Sequence, residues 1–312
     1  MTAVLGLDTS NYTTSAAVLR SDGTGLNAGR LLDVPEGSLG LRQSDALYQH
    51  VRRLPERFEE LRQAGMLQNI AAVGASTAPR AVEGSYMPCF LAGESQGRVL
   101  AGTLGVPFFA CSHQQGHVAA ACWSAGRMEL LDAPLLSWHL SGGTTELLLV
   151  EPENGMPKMT ILGGTEDISA GQLIDRTGKR LQIPFPAGKA LDALAAESGS
   201  REAFPVKLRG LRFSLSGVEN QVQKRLEQGM PPADVARFAL NTVAGVVHRV
   251  TQAALKEYPG LPVLCSGGVA SNALLRSVMD YAVFAEPRYS TDNAMGVAVL
   301  TLRALERGML HG

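Results

Sequence analysis

No run in the 312-residue chain approaches the ~20 consecutive apolar residues of a bilayer span. The N-terminus enters an apolar strand pattern at Ala3 without a basic segment or signal-peptide core. These absences set the expectation of a cytoplasmic protein with no membrane partner. Cysteine is scarce: Cys89, Cys111, Cys122 and Cys265 show no Cys-x-x-Cys spacing, and three of them sit in or beside apolar runs. That argues against zinc ribbons and disulfide frameworks and for buried free thiols. Charge of one sign is also missing. With a formal net charge of −1 there is no global basic field, so nucleic-acid binding would need a local patch or a partner subunit.

What is present suits a soluble α/β protein. With 45% hydrophobic and 18% charged residues, the chain can bury a large core and is long enough for two lobes. Ala3 to Leu7 reads as a buried strand, Thr9 to Thr14 as a polar turn and Ser15 to Leu19 as the returning strand, which makes a hairpin. Leu47, Val51, Leu54, Phe58 and Leu61 recur with helical spacing, and Pro55 is expected to kink or restart that helix. The strand Ile70 to Ala75, a helix around Glu94 to Leu104 and the strand Pro107 to Ala110 follow. The design then repeats, with strand Leu135 to Leu140, turn Ser141 to Thr145 and returning strand Glu146 to Val150. A third turn, Cys265 to Asn272, lies between the strand Pro262 to Leu264 and a helix. Such glycine turns cradle phosphates, because backbone N–H groups can converge without Cβ interference. A repeated hairpin-led α/β unit is the hallmark of the two-lobed actin-like ATPase architecture, in which each lobe offers one turn to a nucleotide.

His113 and His117, in Ser-His-Gln-Gln-Gly-His-Val-Ala-Ala-Ala, stand four apart at the start of a small-residue helix and share one face, a metal-ligand spacing. The same pair also fits two partly buried rings hydrogen-bonded to backbone. Asp292, where Ser-Thr-Asp-Asn-Ala-Met-Gly opens the last helix, has the position and hardness of a third ligand, though spacing alone does not join it to the histidines. Gln114 stands where a zinc protease carries its general-base glutamate, which disfavours proteolysis.

Eight motifs in order carry a family resemblance over nearly the whole chain. They are Gly-Leu-Asp-Thr-Ser (6–10), Ser-His-x-x-Gly-His (112–117), Leu-Ser-Gly-Gly-Thr (140–144), Asp-Arg-x-Gly (175–178), Phe-Pro-Ala-Gly (185–188), Phe-Ser-Leu-Ser-Gly (213–217), Ser-Gly-Gly-Val-Ala-Ser-Asn-x-x-Leu-Arg (266–276) and Thr-Asp-Asn (291–293). In these the chain resembles the catalytic subunit of tRNA threonylcarbamoyladenosine synthase, long misnamed O-sialoglycoprotein endopeptidase or glycoprotease. The resemblance implies a duplicated ribonuclease H-like, actin-like fold, with residues 1–121 and 292–312 in an N-terminal lobe and 122–291 in a C-terminal lobe bearing a helical insertion. It further implies metal-dependent transfer of a threonylcarbamoyl group from threonylcarbamoyl-adenylate to a tRNA adenosine beside the anticodon. The cofactors would be a divalent metal (iron, zinc or magnesium) and an adenine nucleotide or that adenylate. The partners would be tRNA and a paralogous actin-like subunit or a second copy of the chain.

Carried over by motif, His113, His117 and Asp292 would hold the metal, with Asp8 and Ser141 at the catalytic centre. Leu140, Ser141, Gly142, Gly143 and Thr144 would hold the phosphate or carbamoyl end, and Asp175, Gly188, Gly267, Gly268 and Asn272 the nucleotide. Without those roles Asp175 is a surface carboxylate, Gly188 a turn residue and Asn272 the N-cap of the helix bearing Leu274 and Leu275. The departures cluster around the chemistry. Asn11-Tyr12 replaces an acidic pair, Thr144 a histidine, Gln172 a glutamate, Arg176 a lysine and Glu219 another lysine, while Ala78 to Gly84 replaces Gly-Pro-Gly. Glu219 should repel phosphates unless neighbours such as Lys224 or Arg225 compensate. These losses keep two other readings open: a paralogous carbamoyltransferase with another acceptor, and a non-catalytic nucleotide-binding partner subunit.

Overall fold

The computed structural model describes residues 1–10, 12–34 and 41–309. β1 (Ala3–Asp8) is buried at every position, as a central strand covered on both faces must be. It pairs antiparallel with β2 (Thr13–Arg20), which pairs antiparallel with β3 (Gly25–Leu31). β3 exposes most of its residues and so lacks the apolar alternation that marks a strand in sequence. β4 (Ile70–Ala78) joins β1 in parallel and β5 (Phe108–Ser112) joins β4, giving the order β3-β2-β1-β4-β5. α1 (Gln43–Gln63) runs through Pro55 without a break. Its buried face differs from the expected stripe: Val51 is 51% exposed, whereas His50, Arg53 and Arg57 are buried beside Leu54 and Leu61. The polar members are admitted because they are paired. His50 Nδ1 lies 2.8 Å from Thr14 Oγ1, and Arg53 donates to Asp33 and to the Leu31 carbonyl. α2 (Phe90–Leu104) and α3 (His113–Ser124) complete this part of the unit.

The second sheet repeats the first. β6 (Leu135–Leu140) and β7 (Thr145–Glu153) form an antiparallel hairpin, β8 (Met156–Thr165) follows, and β9 (Arg212–Phe213) adds an edge. β10 (Val263–Ser266) is parallel to β6, and β11 (Val283–Phe284) is parallel to β10. The strand order β11-β10-β6-β7-β8 matches β5-β4-β1-β2-β3 of the first sheet, so the expected duplication is borne out. Between β8 and β10 lie α4 (Ala170–Arg180), α5 (Gly188–Ala196), α6 (Ser216–Glu227) and the long α7 (Pro232–Glu257), whose Phe238, Val243, Val247 and Val250 are buried in one core with Trp138 and Phe213. α8 (Ala273–Val278) follows the third turn. α9 (Met295–Glu306) then returns to pack on β1, β2, β4 and α3 of the first unit.

The chain divides into one unit of Met1–Ala133, Glu151–Met159 and Thr291–Gly312 and another of Pro134–Val150 and Thr160–Ser290. The first division falls after Ala133 and not at residue 121, because α3 continues to Ser124 and Asp132 is tied to Arg303 and Arg307 of α9. The 151–159 hairpin belongs with the first unit, where Gln115 Nε2 donates to the Pro157 carbonyl at 2.8 Å. All four cysteines are buried free thiols. No helix among the described residues is long and apolar enough to cross a membrane.

Candidate metal centre and glycine turns

Ser112 ends β5 and caps α3. Its Oγ accepts from the Gln115 N–H at 3.2 Å, and Gln115 Oε1 accepts from the Ser112 N–H at 2.7 Å. This capping box fixes His113 as the first helical residue, with His117 one turn on. The two Nε2 atoms are 2.9 Å apart, and Asp292 Oδ1 lies 3.5 Å from His113 Nε2 and 3.4 Å from His117 Nε2. The three candidate ligands therefore converge, their donor atoms all within 4.8 Å of one another.

Two contacts that residue spacing does not reveal hold this geometry. Asp8, 1% exposed at the end of β1, places Oδ2 2.8 Å from His113 Nδ1, while its Oδ1 accepts from the Ser10 N–H at 2.8 Å. A carboxylate there fixes the ring so that Nδ1 carries the proton and the Nε2 lone pair faces His117. The second is at Gly296 on α9. A Cβ on it would sit 1.8 Å from the Gly116 carbonyl oxygen, so only glycine lets α9 approach α3 closely enough to bring Asp292 to the histidines.

The electrostatics call for a cation. Burial disfavours a charged His113, yet Asp8 and Asp292 outweigh it and push its pKa up to about 10. Burial also raises Asp8 and Asp292, but the histidines more than offset it and hold both carboxylates below their ordinary values. Two ionised carboxylates and two opposed ring nitrogens are satisfied either by a proton on the imidazoles or by a metal ion. Two imidazoles and one carboxylate with positions left open suit a divalent transition metal. The residues present thus fit the ion that the resemblance implies.

In the second unit, the Ser141 N–H donates to the Thr144 carbonyl at 2.8 Å and Ser141 Oγ accepts from the Thr144 N–H at 3.0 Å, so the Leu140–Thr144 turn is closed on itself. Ser169, the N-cap of α4, donates from Oγ to the Gly142 carbonyl at 2.6 Å. Gly171 lets the helix N-terminus abut the turn, since a Cβ there would lie 2.5 Å from Gly142 Cα. Gln172 completes the α4 capping box, the part a glutamate would play. Gly267, at φ 91°, backs onto Leu140, with a would-be Cβ 2.2 Å from the Leu140 carbonyl oxygen, and Gly268 begins a 3₁₀ turn. These residues are neighbours.

Asp175 accepts from the Ala187 N–H at 2.9 Å and so holds the start of α5, where Gly188 faces open space. Asn272 caps α8 through the Leu275 N–H at 3.0 Å, and its Nδ2 donates to Asp192 Oδ1 at 2.7 Å. Asp192, which also accepts from the Ala273 N–H at 3.1 Å, escaped the sequence reading. Its only signal is its place one helical turn after Gly188.

Among the departures, Asn11 lies outside the described residues, and Tyr12 is 38% exposed. The expected repulsion from Glu219 is corrected: its carboxylate pairs with Arg176 at 2.7 Å and Arg180 at 3.1 Å. Compensation comes from these α4 arginines and not from Arg225, which pairs with Glu202. Glu219 on α6 and Arg176 and Arg180 on α4 thus form one ion-paired cluster.

Two hairpin-led mixed sheets of matching order define an α/β protein of the actin-like ATPase class. Among solved structures it is similar to full-length HypF in its phosphate- and nucleotide-bound form (TM-score 0.61, 14% identity, 98% of this chain and 56% of that one). Component A of (R)-2-hydroxyglutaryl-CoA dehydratase from Acidaminococcus fermentans is also similar (TM-score 0.55, 17% identity, 97% of this chain and 100% of that one). In sequence it is 33% identical to a tRNA N6-adenosine threonylcarbamoyltransferase of Granulibacter bethesdensis over 99% of this chain and 90% of that protein. The same-named protein of Thermus thermophilus is 31% identical over 98% of this chain and 94% of its own length. The profile of the tRNA N6-adenosine threonylcarbamoyltransferases matches residues 40–299, and the chain belongs to that family.

Proposed function

We propose that this chain transfers a threonylcarbamoyl group from its adenylate to N6 of a tRNA adenosine beside the anticodon. The observation that carries the reading is the convergence of His113, His117 and Asp292, backed by Asp8, in a chain that matches the family along its length. His113, His117 and Asp292 would hold a divalent metal, which when bound supplies Lewis-acid polarisation of a carbonyl or phosphoryl oxygen. Asp8 acts as a positioning residue: both its oxygens are engaged, one by His113 and one by Ser10, and it is buried. Within the Leu140–Thr144 turn, Gly142 and Gly143 offer their backbone N–H groups to the phosphate or carbamoyl end, with Ser141 shaping the turn through its hydroxyl. Asp175, Gly188 and Asn272, now with Asp192, form the nucleoside side, where carboxylate oxygens accept from ribose hydroxyls. Each of the two units is taken as one actin-like lobe. A paralogous actin-like subunit or a second copy remains part of the proposal, as does a cytoplasmic setting.

A different acceptor and a non-catalytic role are less well supported. A pure scaffold has no need of a complete donor set with a buried orienting carboxylate, and the charge reversal at Glu219 is matched by Arg176 and Arg180. The test is complementation of a strain lacking its own enzyme, with mass spectrometry of tRNA nucleosides. Threonylcarbamoyladenosine should return with the wild-type chain and be lost with His113→Ala. Its absence with the wild-type chain, supplied with its partner subunits, rejects the reading.

A further inference from the structure

From the hairpin at residues 207–212 we infer that the second unit carries its own RNA-docking comb, formed by Lys207, Arg209 and Arg212. This rests on the tRNA-directed reading above and supplies what a net charge of −1 leaves unexplained, namely where a polyanion is gripped. The segment alternates on either side of the Gly210 turn. Val206, Leu211 and Phe213 are 3%, 8% and 1% exposed and Leu208 packs on the same core, while Lys207, Arg209 and Arg212 all face solvent. Arg209 and Arg212 pair through their backbones around Gly210, at φ 61°.

The platform is rigid. Gly164 N–H donates to the Leu211 carbonyl at 3.0 Å, and the preceding strap is tied along α7 by Thr242 to Phe204 N–H at 2.9 Å and by Arg249 to the Val206 carbonyl at 2.8 Å. The three side chains make no ion pair or hydrogen bond among the described residues, whereas most other exposed cations of the protein do. Two acids near in sequence are engaged elsewhere: Glu202 pairs with Arg225, and Asp167 accepts from the Ser214 hydroxyl and from the Leu215 and Ser216 N–H groups. No large hydrophobic side chain between 198 and 216 is exposed. A protein partner would want such an anchor. Unpaired, clustered cations on a fixed surface suit phosphates, whose binding releases counterions and needs no apolar contact.

The test measures tRNA affinity of the full chain against salt concentration for the wild type, for Lys207→Ala/Arg209→Ala/Arg212→Ala, for each of the three single variants, and for Lys256→Ala as a single-charge control elsewhere that the single variants are compared with. Losing three phosphate contacts should reduce the slope of log affinity against log salt by about 2 to 3 and weaken binding about tenfold or more at physiological salt. The melting temperature and metal content should not change. An unchanged slope in the triple variant, no salt-dependent tRNA binding by the wild type, or a comb that takes polyglutamate but not tRNA would each overturn the inference. The two readings fail separately. Modified tRNA with an unaltered salt slope removes the comb and keeps the activity, whereas comb-dependent tRNA binding without modification does the reverse.

Discussion

At the scale of single residues, the Asp8–His113 contact decides which nitrogen of the ring is available. In Asp8→Asn the side chain keeps its size but loses its charge, and its amide can donate to Nδ1, which turns the proton to Nε2 and closes the ligand position. Metal affinity should fall about ten- to a hundredfold while the fold persists, as read by competitive chelation with the melting curve as control. Unaltered affinity would remove Asp8 from the site. Direct removal of a ligand is more severe: His113→Ala or His117→Ala should lose most of the metal in elemental analysis. The histidine pair was legible in the sequence because an i,i+4 spacing is local. Asp8 was legible only as part of a motif, because its partner lies 105 residues away. Gly296 and Asp192 were not legible, since what they do depends on a backbone or side chain brought near by the fold.

Between elements, the α3–α9 and α4–α6 contacts each make a measurable demand. Gly296→Ala would force a Cβ against the Gly116 carbonyl oxygen. Overpacking of this kind costs about 1–3 kcal/mol, so the melting temperature should drop by several degrees, with metal content falling as Asp292 is displaced. A variant with wild-type stability and full metal would show that α9 is not seated by this contact. Across α4 and α6, Glu219→Gln leaves Arg176 and Arg180 facing each other without a counter-ion. Arg176 is 46% exposed, so screening limits the loss to about 1 kcal/mol or less. Burial raises the Glu219 pKa, but the two arginines outweigh it and lower it overall. The stabilisation is therefore complete above the ordinary glutamate range and disappears as pH falls through the depressed value. Denaturation curves should separate wild type and variant at pH 7 and converge in strong acid. The hairpins and the three turns were readable as elements because apolar runs and small polar residues alternate in sequence. β3 was not, because its residues face solvent and show no such pattern. The stripe on α1 misplaced Val51 because paired polar side chains, invisible to a hydrophobic count, occupy the buried face.

For the molecule as a whole, a bound metal would join α3 to the segment before α9, with Asp8 of β1 behind His113. Stripping it with a chelator should lower the melting temperature and adding it back should restore it, since a ligand at a hundred times its dissociation constant stabilises by about 2.7 kcal/mol. A melting curve insensitive to both would separate the site from the stability of the fold. The same linkage sets a schedule for synthesis. The unit that carries the candidate metal ligands is discontinuous, closed by residues from Thr291 onward, after the whole of the other unit has been made. Asp292 follows His117 by 175 positions. At about 5–20 residues per second the ribosome makes the histidines roughly ten to thirty seconds before their third ligand. Through that interval β1, α3 and the paired imidazoles wait without α9 to cover them, exposed to chaperones, proteases and stray metals. On the proposed ligand set, a chain stopped anywhere before Asp292 would lack the third ligand, so that taking up an ion would report that translation had run past it.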